Sequence, residues 1–140
     1  MAKVTVTDLY KDDMPSGFAK EARRLVEKVW SKEGTEGSGQ GAEVGITFVD
    51  DKFIRKLNKK FRGLDRATDV LSFEMKEGGE LGDIVISVDS AQRNAKRYKV
   101  PLRGELRRLV VHGLLHLLGL DHVRGSDRAM MRRKEESYLC

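Results

Sequence analysis

The chain has 140 residues, 39% hydrophobic and 35% charged, which is enough for one domain with its own core and too polar for a membrane protein. A lone cysteine excludes a disulfide scaffold and fits a reducing cytoplasm, and the start, Met-Ala-Lys-Val-Thr-Val-Thr, lacks the apolar stretch of a signal peptide. The formal net charge of +5 is uneven, with −2 over residues 1–50 and +7 over residues 51–140, so the second part of the chain favours a polyanionic partner.

Taken in order, Lys3 to Leu9 alternates like a strand, and Ser16 to Ser31 repeats Phe18, Ala22, Leu25, Val26 and Trp30 at helical spacing. Gly34 to Gly41 is a loop without the Lys and Ser or Thr of a phosphate loop. Val44 to Val49 reads as a second strand. Asp50 and Asp51 can cap the next helix, Lys52 to Phe61, whose Phe53, Ile54, Leu57 and Phe61 form one apolar stripe. Asp69 to Phe73 and Gly82 to Val88 are β-branched runs on either side of a Gly-rich turn, Glu77 to Gly82, and read as a hairpin. Three helices close the chain: Ser90 to Lys99, Leu102 to Leu118 after Pro101, and Ser126 to Ser137 with Ser126 as its N-cap. The pattern is α+β in one domain, 1–140, with no internal repeat.

The chain's three histidines all fall within eleven residues, His112-Gly-Leu-Leu-His116-Leu-Leu-Gly119-Leu-Asp121-His122. On a helix, His112 and His116 stand one turn apart with Cβ atoms roughly 5–6 Å from each other, so both imidazoles can reach one ion. Gly119 can end the helix in a left-handed conformation and let His122 return toward the same point. Three imidazoles with an open fourth position suit a catalytic zinc; a closed structural site would need a fourth ligand, and the one cysteine, Cys140, is the last residue. The competing reading is a core helix that merely contains two histidines. The spacing is that of a zincin helix, except that Gly113 stands where H-E-x-x-H has its general base, which argues against a peptidase.

Basic residues cluster in 51–66 as Lys52, Arg55, Lys56, Lys59, Lys60, Arg62 and Arg66, and again in 91–108. Such runs either contact phosphates or form ordinary solvated helix faces. Arg62 lies where helix gives way to loop, from which a guanidinium can hold a phosphate and stabilise its developing charge; alternatively it pairs with Asp65.

The run N-x-x-F-R-x-x-D-x-x-T-D-V-L-S-F from Asn58, then L-G-D-I-V-I-S, then H-G-x-L-H-L-x-G-x-D-H ending at His122, closely resembles the YbeY family of bacterial endoribonucleases over nearly half the chain. The resemblance implies a small mixed sheet of about four strands with about five helices and a zincin-like metal helix. It further implies one zinc held by His112, His116 and His122, with Arg62 as the essential basic residue, and action on single-stranded RNA in ribosomal RNA 3′-end maturation and ribosome quality control. On this reading Arg62 and His116 are catalytic, Lys59, Lys60, Arg62 and Arg66 hold RNA, and Asp69 and Asp121 are candidates for a base or for orienting an imidazole, Asp121 being equally well a turn residue. Nickel or manganese could replace zinc, the attacking group is either zinc hydroxide or the ribose 2′-hydroxyl, and ribosomal proteins are the expected partners in the cytoplasm. The rival readings are a metallopeptidase or other metal-dependent hydrolase, and a non-catalytic RNA-binding or ribosome-associated module. Two departures from the family pattern are Leu120, where Tyr is usual, and the absence of an acidic cluster over Val123 to Ser126; neither removes a ligand.

Overall fold

β-branched and aromatic residues alternate with polar ones along four strands, β1 (Lys3–Asp8), β2 (Glu43–Val49), β3 (Val70–Glu74) and β4 (Glu80–Ser87). In the computed structural model, which describes residues 3–12, 14–33, 43–75, 80–119 and 125–139, they form one sheet in the order β1-β2-β4-β3. β1 and β4 run parallel to β2, and β3 pairs antiparallel with β4 at one edge, with Val70 opposite Ile86 and Ser72 opposite Ile84. The expected hairpin partners are thus adjacent. Part of their Gly-rich turn, residues 77–79, lies outside the described residues, as does the Gly34 to Gly41 loop.

Five helices accompany the sheet: α1 (Phe18–Glu33), α2 (Asp51–Arg62), α3 (Val88–Tyr98), α4 (Leu102–Leu117) and α5 (Gly125–Leu139). The period-2 alternation sends Val44, Ile46, Phe48, Ile84 and Ile86 to one face, where they meet Phe18, Val26 and Val29 of α1 and Leu106, Leu109, Val110 and Leu114 of α4 in the main core. The opposite face is thinner. There Val49, Leu71 and Val85 meet Ile54 of α2, with Leu57, Ala67 and Phe73 at the margin. The architecture is therefore the expected α+β, with a four-stranded mixed sheet and five helices among the described residues.

Several boundaries differ from those read from sequence. α1 begins at Phe18 because Gly17, at φ 71°, makes a left-handed turn and the Phe18 amide donates to the Pro15 carbonyl. Helix α3 begins two residues early because Ser87, at the end of β4, accepts from the Ser90 amide and caps it. Helix α5 already runs at Gly125, so Ser126 lies within its first turn and is not its cap. Asp50 caps α2 as expected, whereas Asp51 accepts from the Ser87 and Ser90 hydroxyls and pairs with Arg93. Burial raises the Asp51 pKa, but these partners outweigh it and hold the carboxyl below its ordinary value. The apolar stripe of α2 is also narrower than its spacing suggests. Ile54 is buried, but Phe53 and Phe61 are 43% and 57% exposed.

Candidate active site

Helix α4 is apolar on most of its circumference, so it is buried between the sheet and α1, α3 and α5. His112 and His116 leave this buried rod on one side, half-exposed, with ring centroids 4.7 Å apart. Gly113 faces the sheet instead. A Cβ there would lie 2.7 Å from Ile84 Cγ2 and 3.2 Å from Ser72 Oγ, and the Ser72 hydroxyl donates to the Gly113 carbonyl at 3.1 Å. The position that carries the peptidase glutamate in H-E-x-x-H is thus pressed against β3 and β4, with no room for a side chain.

Arg62 comes from the other direction. It is the last residue of α2, and Gly63, at φ 70°, closes that helix with its amide on the Asn58 and Lys59 carbonyls. The chain reverses there. Asn58, buried on α2, donates through Nδ2 to the Arg66 carbonyl at 2.9 Å and ties the returning loop to the helix. The loop then enters β3 at the sheet edge beside α4.

These placements bring Arg62, Asp69, His112 and His116 to one open cleft of about 360 Å³, whose walls also include Thr68, Val70, Ser72 and Glu74. Asp65 pairs with Arg55 at 2.8 Å, so the competing Arg62–Asp65 reading is not what the structure forms. Arg55 in turn holds the exposed Asp65 carboxyl below its ordinary pKa. Lys59, Lys60 and Arg66 are exposed around the end of α2, beside the cleft and not in its lining.

Asp69 is engaged from behind. Asn94 donates to its Oδ2 at 3.1 Å and Arg108 approaches the same oxygen at 3.8 Å. Arg108 also makes two hydrogen bonds to Glu105, which is 2% exposed, and Asn94 donates to Glu105 as well. This pairing raises the Arg108 pKa against the opposing effect of burial. Asp69 is therefore oriented by a part-buried network, an arrangement suited to steering a neighbouring group.

The donor chemistry fits a divalent metal, since two imidazoles stand one helical turn apart on a rigid helix and face a polar cleft. Among the described residues no group of three or more His, Cys, Asp or Glu side chains could hold a metal. The expected third ligand, His122, and Asp121 lie outside the described residues.

Sequence reasoning missed three contributors. Glu135 of α5 contacts His112 Nδ1 through Oε1. Phe61 stands beside Arg62, edge-to-face with Phe73 at 5.3 Å between ring centroids, with Lys60 Nζ over its ring. Glu74 lines the cleft from the end of β3. Only Glu135 left a signal, because with Met131 and Tyr138 it completes an i, i+4, i+7 stripe in which a carboxylate is out of place.

The profile of the endoribonuclease YbeY family matches residues 8–140. An endoribonuclease YbeY from Desulforamulus reducens is 50% identical over 115 residues, covering 75% of each chain. One from Geobacillus sp. is 38% identical over 141 residues, covering 91% of this chain and 90% of its own. The solution structure of TM1509 from Thermotoga maritima superposes with a TM-score of 0.68 at 28% identity, covering 99% of this chain and 87% of that one. The chain belongs to the YbeY endoribonuclease family.

Proposed function

We propose that this YbeY-family chain, with residues 1–140 as one domain, is a metal-dependent endoribonuclease that cuts single-stranded RNA during ribosomal RNA maturation, chiefly at the small-subunit 3′ end, and in ribosome quality control. The observation that carries this reading is the convergence of Arg62, from the end of α2, with His112 and His116, from α4, on one open cleft at the β3 edge. A permanent guanidinium and a pair of imidazole ligands are what a phosphodiester and a divalent metal require of such a site.

His112 and His116 would hold the ion together with His122, zinc by preference and nickel or manganese as substitutes. When bound, the metal supplies Lewis acidity to phosphodiester cleavage. Arg62 binds the non-bridging oxygens of the scissile phosphate and stabilises charge that grows on them in the transition state. Asp69, held by Asn94 and Arg108, is positioned to accept a proton or to orient a group in the cleft. Asp121, beside the third ligand, is proposed to orient an imidazole. Lys59, Lys60 and Arg66 attract the flanking backbone, and the exposed face of Phe61 suits stacking by an unpaired base.

Gly113 weighs against the peptidase alternative, because its Cβ position is closed by Ile84 and Ser72. No helix among the described residues is long and apolar enough to cross a membrane. The site of action proposed with this function is the cytoplasm, on ribosomal partners. The test is cleavage of a labelled single-stranded RNA by wild type, His116→Ala and Arg62→Ala proteins purified identically. Cutting by wild type alone supports the assignment. Equal activity in all three assigns the cutting to a contaminant and overturns it.

A further inference from the structure

Glu135 is 7% exposed and occupies the inward stripe of α5 between buried Met131 and Tyr138, where an apolar residue would be expected. A carboxylate in that place is strongly unfavourable unless it is paired. Its Oε1 is in contact with His112 Nδ1. Arg108, one turn before His112 on α4, has its pKa raised chiefly by its bond to Glu105 and to a smaller extent by the charge of Glu135. The helix that carries Glu135 is itself anchored away from the cleft, since Lys134 and Tyr138 both bond to Glu33 of α1 and Lys28 donates to the Tyr138 carbonyl.

We propose that Glu135 is a positioning residue for the metal site: it accepts the Nδ1–H of His112, fixes the ring's orientation, and directs the Nε2 lone pair toward the ion. The role rests on the assignment of His112 as a metal ligand. An imidazole whose Nδ1–H is given to a carboxylate holds the single tautomer that can ligate through Nε2, and its basicity rises; loss of such a partner weakens metal binding by about 10–100-fold. The same contact ties α5 to α4, so two helices and not one fix the orientation of the His112 ring.

Zinc affinity, measured by competition against a chromophoric chelator, tests this without reference to RNA. Wild type is expected to bind one zinc per chain, Glu135→Ala to bind it about 10–100-fold more weakly, and Glu135→Gln, which keeps an acceptor but no charge, to fall between them. Equal affinity in wild type and Glu135→Ala overturns the role of Glu135 while leaving the metal reading intact. A wild type that binds no zinc overturns both. If the alanine variant does not fold, long-range nitrogen–proton NMR of metal-free wild type near pH 8 decides, because only three histidines need assignment. Nδ1–H of His112 as the sole tautomer supports the proposal, and an Nε2–H tautomer rejects it.

Discussion

Helices α4 and α2 flank the same cleft and are built on opposite plans. α4 is wrapped by the sheet and three helices, so its histidines emerge from a rod that has almost no freedom to shift. α2 lies on the thin face of the sheet, buries only Ile54 and Asn58, and turns a basic surface to solvent before it ends at Arg62. The difference matches the roles proposed for each group. A metal ligand works only when its nitrogen is placed within a fraction of an ångström, whereas a field of lysines and arginines attracts a phosphate backbone from many geometries. Arg62 stands between the two cases, at the end of α2 where the Gly63 cap and the Asn58 bond to Arg66 tie the helix to the returning loop.

The largest effect should come from the rigid side. His116→Ala is expected to abolish stoichiometric zinc binding and to lower RNA cleavage by about three orders of magnitude, read by metal analysis and by single-turnover cleavage. Arg62→Ala should lower cleavage about 10²–10³-fold with zinc binding intact, and Arg62→Lys should recover only part of it, since an ammonium lacks the planar fork. Lys59→Ala and Lys60→Ala should leave the cleavage rate at saturating RNA nearly unchanged. Each should reduce the slope of log affinity against log salt by about 0.7, the value for one single-strand phosphate contact. An unchanged slope would place both lysines outside the RNA path.

Stability sharpens the same contrast. Gly113→Ala pushes a methyl against Ile84 and Ser72 and should cost about 1–3 kcal/mol in urea unfolding, whereas an alanine at exposed Lys56 of α2 should cost almost nothing. The smallest effect concerns pH. Tyr10 is pushed up to about 12 by its hydrogen bond to Asp89, and Tyr138 to about 12 by burial beside Glu33. Both phenols stay neutral in the folded protein after they ionise in the unfolded chain. Their contribution is therefore complete below pH 10 and lost as pH rises toward 12; Tyr10→Phe should flatten that decline. Glu33, lowered chiefly by its bond to Lys134, acts at the other end, with stability lost as pH falls below 4.5.

Much of this was legible because its causes are local. The i, i+4 spacing of His112 and His116 needs only a helix to bring the two imidazoles together, and Arg62 at a helix end followed by Gly63 needs only a cap. What stayed hidden depends on partners distant in sequence. Glu135 acquires its meaning from a histidine 23 residues away, and the Asn94–Glu105–Arg108 network behind Asp69 is assembled by two helices, α3 and α4, that meet the start of β3. Gly113 is instructive in the same way. Its sequence shows a missing base, but only the approach of Ile84 and Ser72 shows why no side chain fits there. The exposure of Phe53 and Phe61 has a similar origin: helical periodicity reports which residues share a face, not how far the sheet beneath extends.

The division of labour between α4 and α2 is tested most directly by measuring zinc content and single-stranded RNA cleavage in one preparation of Arg62→Ala. One zinc per chain with cleavage reduced at least about 100-fold is the expected result. Wild-type cleavage, or loss of the zinc along with the activity, would contradict it.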